Sequence, residues 1–197
     1  MARLTRDILG DATLAAIQSY SDMAGLLAAP EAFVQTATAI SVHKSTGQRV
    51  SIELPMRRVV HEWGVNRANL AGLGSFRVDM AVYDPASEVD NFRLDALVEF
   101  KLWTDRNHVA TDIRKLKKII KSLKSLNGDH KNIHGFVVVC PQYHQGIAAM
   151  TSALSDFKER FPINFDRTCS IVSGNGIAYG VGVAVIDIDD CIDGNYG

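Results

Sequence analysis

The alternation of apolar and polar positions divides this chain of 197 residues into helical and strand-like segments. Residues 4–28 are rich in alanine and leucine at helical intervals, which predicts a first helix. Pro30 and Glu31 are typical of the start of a second helix, because proline fits the first turn and an acid is stabilised by the positive end of the helix dipole. Residues 50–54 alternate like a half-buried strand, whereas residues 57–75 follow neither period and are interpreted as a turn or an extended hairpin tip.

The second half of the chain continues this alternation. The predicted segments are strands at 76–83 and 94–102, a helix from about Val109 to Leu126, a wholly apolar strand at 135–140 and a helix at 145–159. Two strands around a turn at Gly174 and Gly176 are then expected to close the chain as a hairpin. The predicted element order is therefore α, α, β, β, β, α, β, α, β, β, which is typical of an α/β fold.

The length and continuity of the sequence indicate one domain. With 47% hydrophobic and 22% charged residues, the chain can form one good core. No internal repeat, low-complexity stretch or linker divides it, so a single domain over residues 1–197 is the economical interpretation. Within this domain we distinguish an accessory N-terminal helix (1–28), a core (31–140) and a C-terminal part with a helix and strands (141–197).

Charge and cysteine usage limit the functions that the chain can serve. The formal net charge of −1 provides no global attraction to nucleic acid, so such a partner would need a local basic patch. The three cysteines form no Cys-x-x-Cys pair, and an odd number suits a reducing cytoplasm better than a disulfide framework. No apolar stretch approaches the length of a membrane span. We therefore expect a soluble cytoplasmic protein without a membrane partner.

Three charged residues interrupt the two apolar strands at 76–83 and 94–102. They are Asp79 on the first strand and Glu99 and Lys101 on the second. Side chains two apart share a face of a strand, so all three can converge if the strands are neighbours in register. A buried charge needs a partner, a metal ion or solvent, and carboxylates with phosphate oxygens are typical ligands of Mg²⁺.

These residues resemble a known family of nucleases. Asp79, then Glu99-Phe100-Lys101 on the next strand, then an amphipathic helix, is similar to the PD-(D/E)XK nuclease superfamily. The α-β-β-β-α-β order from Glu31 to Cys140 resembles the core of that family. The resemblance implies a restriction-endonuclease-like fold, with a central mixed β-sheet flanked by α-helices. It also implies Mg²⁺-dependent cleavage of nucleic acid, with Mn²⁺ as an alternative ion. We expect DNA rather than RNA as the substrate.

The resemblance also implies roles for individual residues. Asp79 and Glu99 would bind the metal, the backbone carbonyl of Phe100 could be a third ligand, and Lys101 would be the catalytic lysine. Val78 stands where the nominal motif has proline, a residue that family members commonly lose. Cleavage of both strands of a duplex would favour a homodimer.

Family members often add two further polar groups. One is an acid from the helix before the first strand, which here implies Glu31, with Glu53 and Glu62 as alternatives. An acid in a first helical turn needs no catalytic reason, so Glu31 is equally interpreted as a helix-dipole residue. The other is a polar residue from the helix that follows the motif, and Lys115 is its best-placed match.

The acid-x-Lys pattern is weak evidence by itself, because it occurs three times in the chain. Only Glu99-Phe-Lys101 lies in a predicted strand preceded by an acid-bearing strand. The simpler alternative is a cross-strand ion pair on a partly exposed sheet face. On that basis the chain could also be a nuclease-like module that binds nucleic acid without cleaving it, or a protein-interaction module.

The helix at 109–126 supplies the local basic patch that the net charge lacks. Its basic residues outside the apolar stripe are Arg114, Lys115, Lys117, Lys118, Lys121 and Lys124. Such a face is often only a solvated surface. Next to a nuclease centre it predicts contacts to the phosphate backbone, which position nucleic acid without reading its sequence.

Overall fold

The computed structural model describes residues 2–24, 29–62, 73, 75–86, 93–102, 106–126, 132–143, 146–172, 176 and 178–191. The helices are α1 (Arg6–Ala24), α2 (Glu31–Thr46), α3 (Met56–Glu62), α4 (Arg106–Leu126) and α5 (Ile147–Lys158). The strands are β1 (Val50–Pro55), β2 (Arg77–Tyr83), β3 (Leu94–Lys101), β4 (His134–Val139), β5 (Gln142–Tyr143), β6 (Ile163–Val172) and β7 (Ala178–Asp187).

The predicted order of elements is confirmed, with two additions. The interpretation of residues 57–75 as irregular is wrong at its start, because Met56–Glu62 forms the short helix α3. The two-residue strand β5 had no signal of its own in the sequence. β6 and β7 form the expected hairpin; Gly174 lies outside the described residues, and Gly176 has a φ of 81°, in the left-handed region that favours glycine.

The strands form one mixed sheet, as predicted. Its path runs β1-β2-β3-β4-β7-β5, and β6 also pairs with β7. β3 and β4 are parallel, and the other pairs are antiparallel. Since a strand has two edges and β6 follows β7 over residues 178–186, β4 and β5 must share the opposite edge of β7.

Helices cover both faces of this sheet. α4 and α5 contribute to a core that includes Leu97 and Val137, while α1 and α2 contribute to a second core that includes Val98 and Val138. Neighbouring residues of β3 and β4 thus point to opposite helical layers, as strand geometry requires. In the described part of the chain, no helix is long and apolar enough to cross a membrane.

Strand β2 changes its facing at Asp79. Regular alternation predicts that Phe76, Val78, Met80 and Val82 share a face, but Phe76 and Val78 pack with the α4 and α5 core, whereas Met80 and Val82 pack with the α1 and α2 core. The pairing of β2 with β3 also ends at Met80, opposite Val98. The predicted alternation is therefore wrong at this point, because the strand is irregular where it carries its acid.

The adjacent strand β1 is irregular at the same level. Glu53 lies between the residues of β1 that pair with Met80 and Val78, and it has a φ of 52°. This left-handed conformation is rare for a residue with a side chain. The backbone is therefore irregular on both sides of Asp79: β1 is distorted at Glu53, and β3 no longer pairs with β2 at this level.

Candidate active site

Glu99 and Lys101 lie on the face of β3 that α4 covers. The oxygen Oε1 of Glu99 lies 2.7 Å from Nζ of Lys115, and Nζ of Lys101 lies 3.1 Å from Oδ2 of Asp112. Both partners belong to α4, and Leu97 of β3 packs in the core beneath the same helix. The predicted shared face of Glu99 and Lys101 is therefore confirmed.

Asp79 joins this group through the backbone of β3. Its Oδ2 accepts a hydrogen bond of 2.7 Å from the N–H of Phe100, the residue between Glu99 and Lys101. The ladder between β2 and β3 has ended by this level, so the carboxylate takes a donor that a regular strand pair would have used. The side chain of Phe100 is buried in the opposite core, which fixes the register of the motif.

Glu31 reaches the same region from the first turn of α2. The pKa of Glu31 is raised, first by burial and then by the negative charge of Asp79, while Lys101 acts in the opposite direction. Its Oε1 accepts a hydrogen bond of 3.2 Å from Nε2 of Gln35, one helical turn later. Because these charges act on one another, the structure brings Glu31 to the group that contains Asp79 and Lys101.

The two alternatives to Glu31 are placed differently. Glu53 also raises the pKa values of Glu31 and Asp79, but its exposed carboxylate lies 2.9 Å from Nη1 of Arg77. Glu62 ends α3, and its side chain lies outside the described part of the structure. Glu31 is therefore the better-placed acid of the two whose side chains are described.

Burial sets the electrostatics of the carboxylates. Glu99 is only 2% exposed, and its burial, followed by the charge of Asp79, raises its pKa to about 8 although Lys115 acts in the opposite direction. Burial also raises the pKa of Asp79, against the hydrogen bond from Phe100 and the charge of Lys101. Removing these groups from water disfavours their charged forms, so the site holds acids that would gain from a cation.

Burial and neighbouring charges shift the pKa of Lys101 in opposite directions. Burial lowers its pKa, but the carboxylates of Asp112, Asp79 and Glu31 outweigh this effect and leave the pKa of Lys101 raised. The lysine is therefore protonated at neutral pH and carries a fixed positive charge beside the acids. In this state it can donate a hydrogen bond or stabilise a developing negative charge.

The carboxylate oxygens of the site are the type of ligand that a hard cation such as Mg²⁺ prefers, although they are not arranged as a complete set of metal ligands. Among the described residues, no cluster of three or more histidine, cysteine, aspartate or glutamate side chains has the spacing of a ready metal site. Oε1 of Glu99 and Oδ2 of Asp112 are buried and accept no hydrogen bond of ordinary geometry, although each faces a lysine at ion-pair distance. Mg²⁺ commonly takes only one or two carboxylates with waters and phosphate oxygens, so Asp79 and Glu99 fit such an ion.

One residue of α4 that lies at the site was not predicted, and another was predicted in two places. Asp112 was not predicted as a site residue, yet it is buried and pairs with Lys101. Its signal was available, because Asp112 falls on the same helical stripe as Val109 and Leu116 and is a charge in an apolar position. Lys115 was assigned both to the site and to the exposed basic face, and the half-buried side chain belongs to the site.

The remaining basic residues of α4 are divided by exposure. Lys117 is half-buried and donates a hydrogen bond to the carbonyl of Cys191. Arg114, Lys118, Lys121 and Lys124 are exposed, and we call these four residues the α4 stripe. The ammonium of Lys118 lies 5.2 Å from the centre of the Phe76 ring, just before β2. The α4 stripe therefore carries most of the predicted basic surface without Lys115 and Lys117.

Comparisons of the chain with protein-family models, with curated proteins and with solved structures gave no match.

Proposed function

We propose that this protein is a metal-dependent nuclease of the PD-(D/E)XK type with a restriction-endonuclease-like fold. The order α2-β1-α3-β2-β3-α4-β4, which adds only the short α3 to the expected core, supports this fold, as does the central pairing, in which β1, β2 and β3 are antiparallel and β4 is parallel to β3. Helices on both faces of the sheet are consistent with the same architecture.

The observation that carries the proposal is the hydrogen bond from the Phe100 N–H to Asp79. It links the acid of β2 to the backbone between Glu99 and Lys101, at a level where the strands no longer pair. If these residues formed only a cross-strand ion pair, contact between opposite charges would be sufficient, and no bond to the backbone of the motif would be needed. Here Asp79 contacts the backbone of the motif, and Glu31 adds a further carboxylate to the group.

Each side chain has a role in the proposed reaction. Asp79 and Glu99, with the Phe100 carbonyl, would hold a Mg²⁺ or Mn²⁺ ion. The ion, when bound, polarises the phosphodiester and lowers the pKa of water. Lys101, held as a cation by its acidic neighbours, orients water or stabilises negative charge on the phosphate.

Three further residues would assist the metal ligands and Lys101. Lys115 keeps an ammonium beside Glu99 and so favours its charged form, while Asp112 positions Lys101. Glu31 is a candidate for a further metal ligand or for a base that binds water.

The proposed substrate of the nuclease is nucleic acid, and we propose DNA rather than RNA. The α4 stripe offers four exposed cations on the helix that also contributes Lys115 to the site, and such residues bind phosphates without reading sequence. A homodimer would place two centres on a duplex. A cytoplasmic location belongs to the same proposal, because three cysteines without a Cys-x-x-Cys pair suit a reducing compartment better than a disulfide framework.

A nuclease-like module that binds without cleaving is the second candidate. The pairs Lys101–Asp112 and Lys115–Glu99 favour it, because they neutralise the charges without a metal ion. Melting temperatures with and without Mg²⁺ or Mn²⁺ separate this case, since an ion that binds only the folded protein stabilises it. No shift with either ion would favour the module.

The nuclease itself is tested by incubating the purified protein with plasmid, linear duplex and single-stranded DNA and with RNA. We expect products with Mg²⁺ and none with EDTA. Asp79→Asn retains an oxygen that can accept from Phe100 but removes the charge, so it should remain folded and lose cleavage. Arg160→Met, at an exposed residue beyond α5, is the control and should cleave like wild type.

A further inference from the structure

A groove lies between α2 and β1, at the end of the sheet opposite β6 and β7. It encloses about 640 Å³, which is within the range of ligand-binding clefts. β1 pairs with β2 along one edge, and in the described part of the chain no strand pairs with its other edge. The groove is lined by α2 residues from Thr36 to Lys44 and by β1 residues that include Val50 and Ile52.

The lining combines apolar side chains with basic groups. Ile40 is 50% exposed and Ile52 is 42% exposed, both unusually high for isoleucine, and both line the groove. The charged or ionisable residues of the lining, apart from Tyr83, are His43, Lys44, Arg49 and Arg58. None of the described residues that line the groove is an acid, although the whole chain has a net charge of −1. The surface therefore complements a ligand with apolar faces and negative charges.

The groove begins beside the candidate active site. Thr36 follows Glu31 by five residues on α2, which is about one and a half helical turns. On β1, Ile52 directly precedes Glu53, whose charge acts on both Glu31 and Asp79. One wall of the groove thus belongs to the helix that carries Glu31, and the other adjoins Glu53, whose charge acts on the site.

We propose that this groove binds unpaired nucleotides of a single-stranded segment of the substrate, next to the active site. The proposal rests on the proposed nuclease function and narrows its substrate to nucleic acid with a single-stranded part. A duplex presents mainly phosphates, whereas a single strand also presents base faces. Ile40 and Ile52 would contact bases, and Lys44 and Arg49 would contact phosphates.

Binding without metal tests the groove independently of cleavage. Fluorescence anisotropy in EDTA would compare a labelled single strand of about 12 nucleotides, which is the size of a typical single-strand site, with the matching duplex. We expect tighter binding of the single strand, and Lys44→Glu or Arg49→Glu should weaken it about fivefold and reduce its salt slope by about 0.7 for each lost phosphate contact. Ile52→Asp should weaken the single strand more than the duplex.

The matched control is Arg160→Glu, a charge reversal at an exposed residue at the other end of the sheet. Equal binding of both forms by wild type, or groove variants that match Arg160→Glu, would overturn the proposal. A dimer in solution that Ile52→Asp dissociates, together with unchanged binding of the single strand, would overturn it in favour of a self-interface.

Cleavage by the same proteins in Mg²⁺ separates the two proposals. Cleavage by wild type with no effect of the groove variants on single-strand binding would overturn the groove and leave the nuclease function standing. Loss of single-strand binding in the groove variants, without any cleavage by wild type, would overturn the nuclease function and support the groove as a binding site.

Discussion

At the scale of single residues, the site is defined by charges that are buried beside one another. Glu99 is almost completely enclosed, and isolated burial of a carboxylate is costly. Lys115 offsets part of that cost at 2.7 Å, and the raised pKa of Glu99, about 8, shows that the remainder is substantial. A carboxyl group whose pKa is raised this far by burial beside other charges is typical of a functional position.

The raised pKa of Glu99 predicts a dependence of stability on pH. Its pKa rises from 4.5 in the unfolded chain to about 8 in the folded protein, so the folded state binds more protons between these values. The free energy of unfolding should therefore fall as the pH rises from about 4 to about 9, by up to roughly 5 kcal/mol if the whole shift is realised. Urea unfolding of wild type and Glu99→Gln across this range measures the effect, and identical pH profiles would contradict it.

Removal of the ammonium beside Glu99 predicts a metal-dependent rescue. Lys115→Met should lower the free energy of unfolding by about 1 kcal/mol at pH 9, where Glu99 is mostly charged in wild type, because it leaves that charged form without its partner. If Mg²⁺ binds at Glu99, it should restore more stability to this variant than to wild type. Lys121→Met, at an exposed position of the same helix, is the control and should change stability by less than about 0.5 kcal/mol. The absence of any differential effect of Mg²⁺ would contradict the metal site.

At the scale of elements, the sequence predicted what depends on periodicity. The alternation of β3 placed Glu99 and Lys101 on one face, and the apolar stripe of α4 predicted a helix against it. The break in β2 at Asp79 could not be predicted in this way, because it arises where β1 is distorted at Glu53 and where β2 stops pairing with β3. The point at which two distant strands stop pairing cannot be read from the alternation of apolar and polar residues in either strand alone.

The pairing of Lys115 with Glu99 was missed for a related reason. A lysine next to an apolar stripe can reach solvent or fold back to a buried acid, and the choice depends on whether such an acid lies beneath it. Glu99 supplies that acid from β3. Asp79, Glu99 and Lys101 were thus named as candidates from the sequence, whereas the ion pairs of Glu99 and Lys101 with α4 required the packing of that helix on the sheet.

The conformation of Glu53 predicts an unusual order of stabilities. In a regular strand alanine is more stable than glycine, because glycine loses more conformational freedom on folding. At a φ of 52° the order should reverse, and Glu53→Gly should be more stable than Glu53→Ala by about 1 kcal/mol. Both variants remove the same carboxylate, so thermal or urea unfolding compares backbone effects alone. A more stable alanine variant would show that β1 is regular at this position.

At the scale of the whole molecule, two exposed basic surfaces are separate from the buried acids of the site, although the net charge is −1. Asp79, Glu99 and Glu31 meet at one level of the sheet. The α4 stripe lies on one helical layer, and the groove beside α2 lies at the edge of the other. In the proposed nuclease, this arrangement would attract a polyanion to the surfaces around a centre that would bind a cation.

This separation predicts how salt affects association. Exposed cations that contact phosphates release counterions, so the affinity for DNA should fall steeply as salt rises. Lys121→Glu in the α4 stripe should weaken duplex binding in EDTA and reduce its salt slope by about 0.9 for each lost contact. Anisotropy titrations at several salt concentrations measure both quantities. A slope that is unchanged in this variant would exclude the α4 stripe as a phosphate-binding surface.

The most direct test of the nuclease centre is the rate of Mg²⁺-dependent DNA cleavage by Lys101→Met. We expect at least about a hundredfold loss relative to wild type and to Arg160→Met, with an unchanged circular dichroism spectrum. Because this change leaves Asp112 without its partner, the double variant Lys101→Met/Asp112→Asn removes both charges and serves as the stable counterpart. Equal cleavage rates for wild type and both folded variants would contradict the proposed role of Lys101 and the active site built around it.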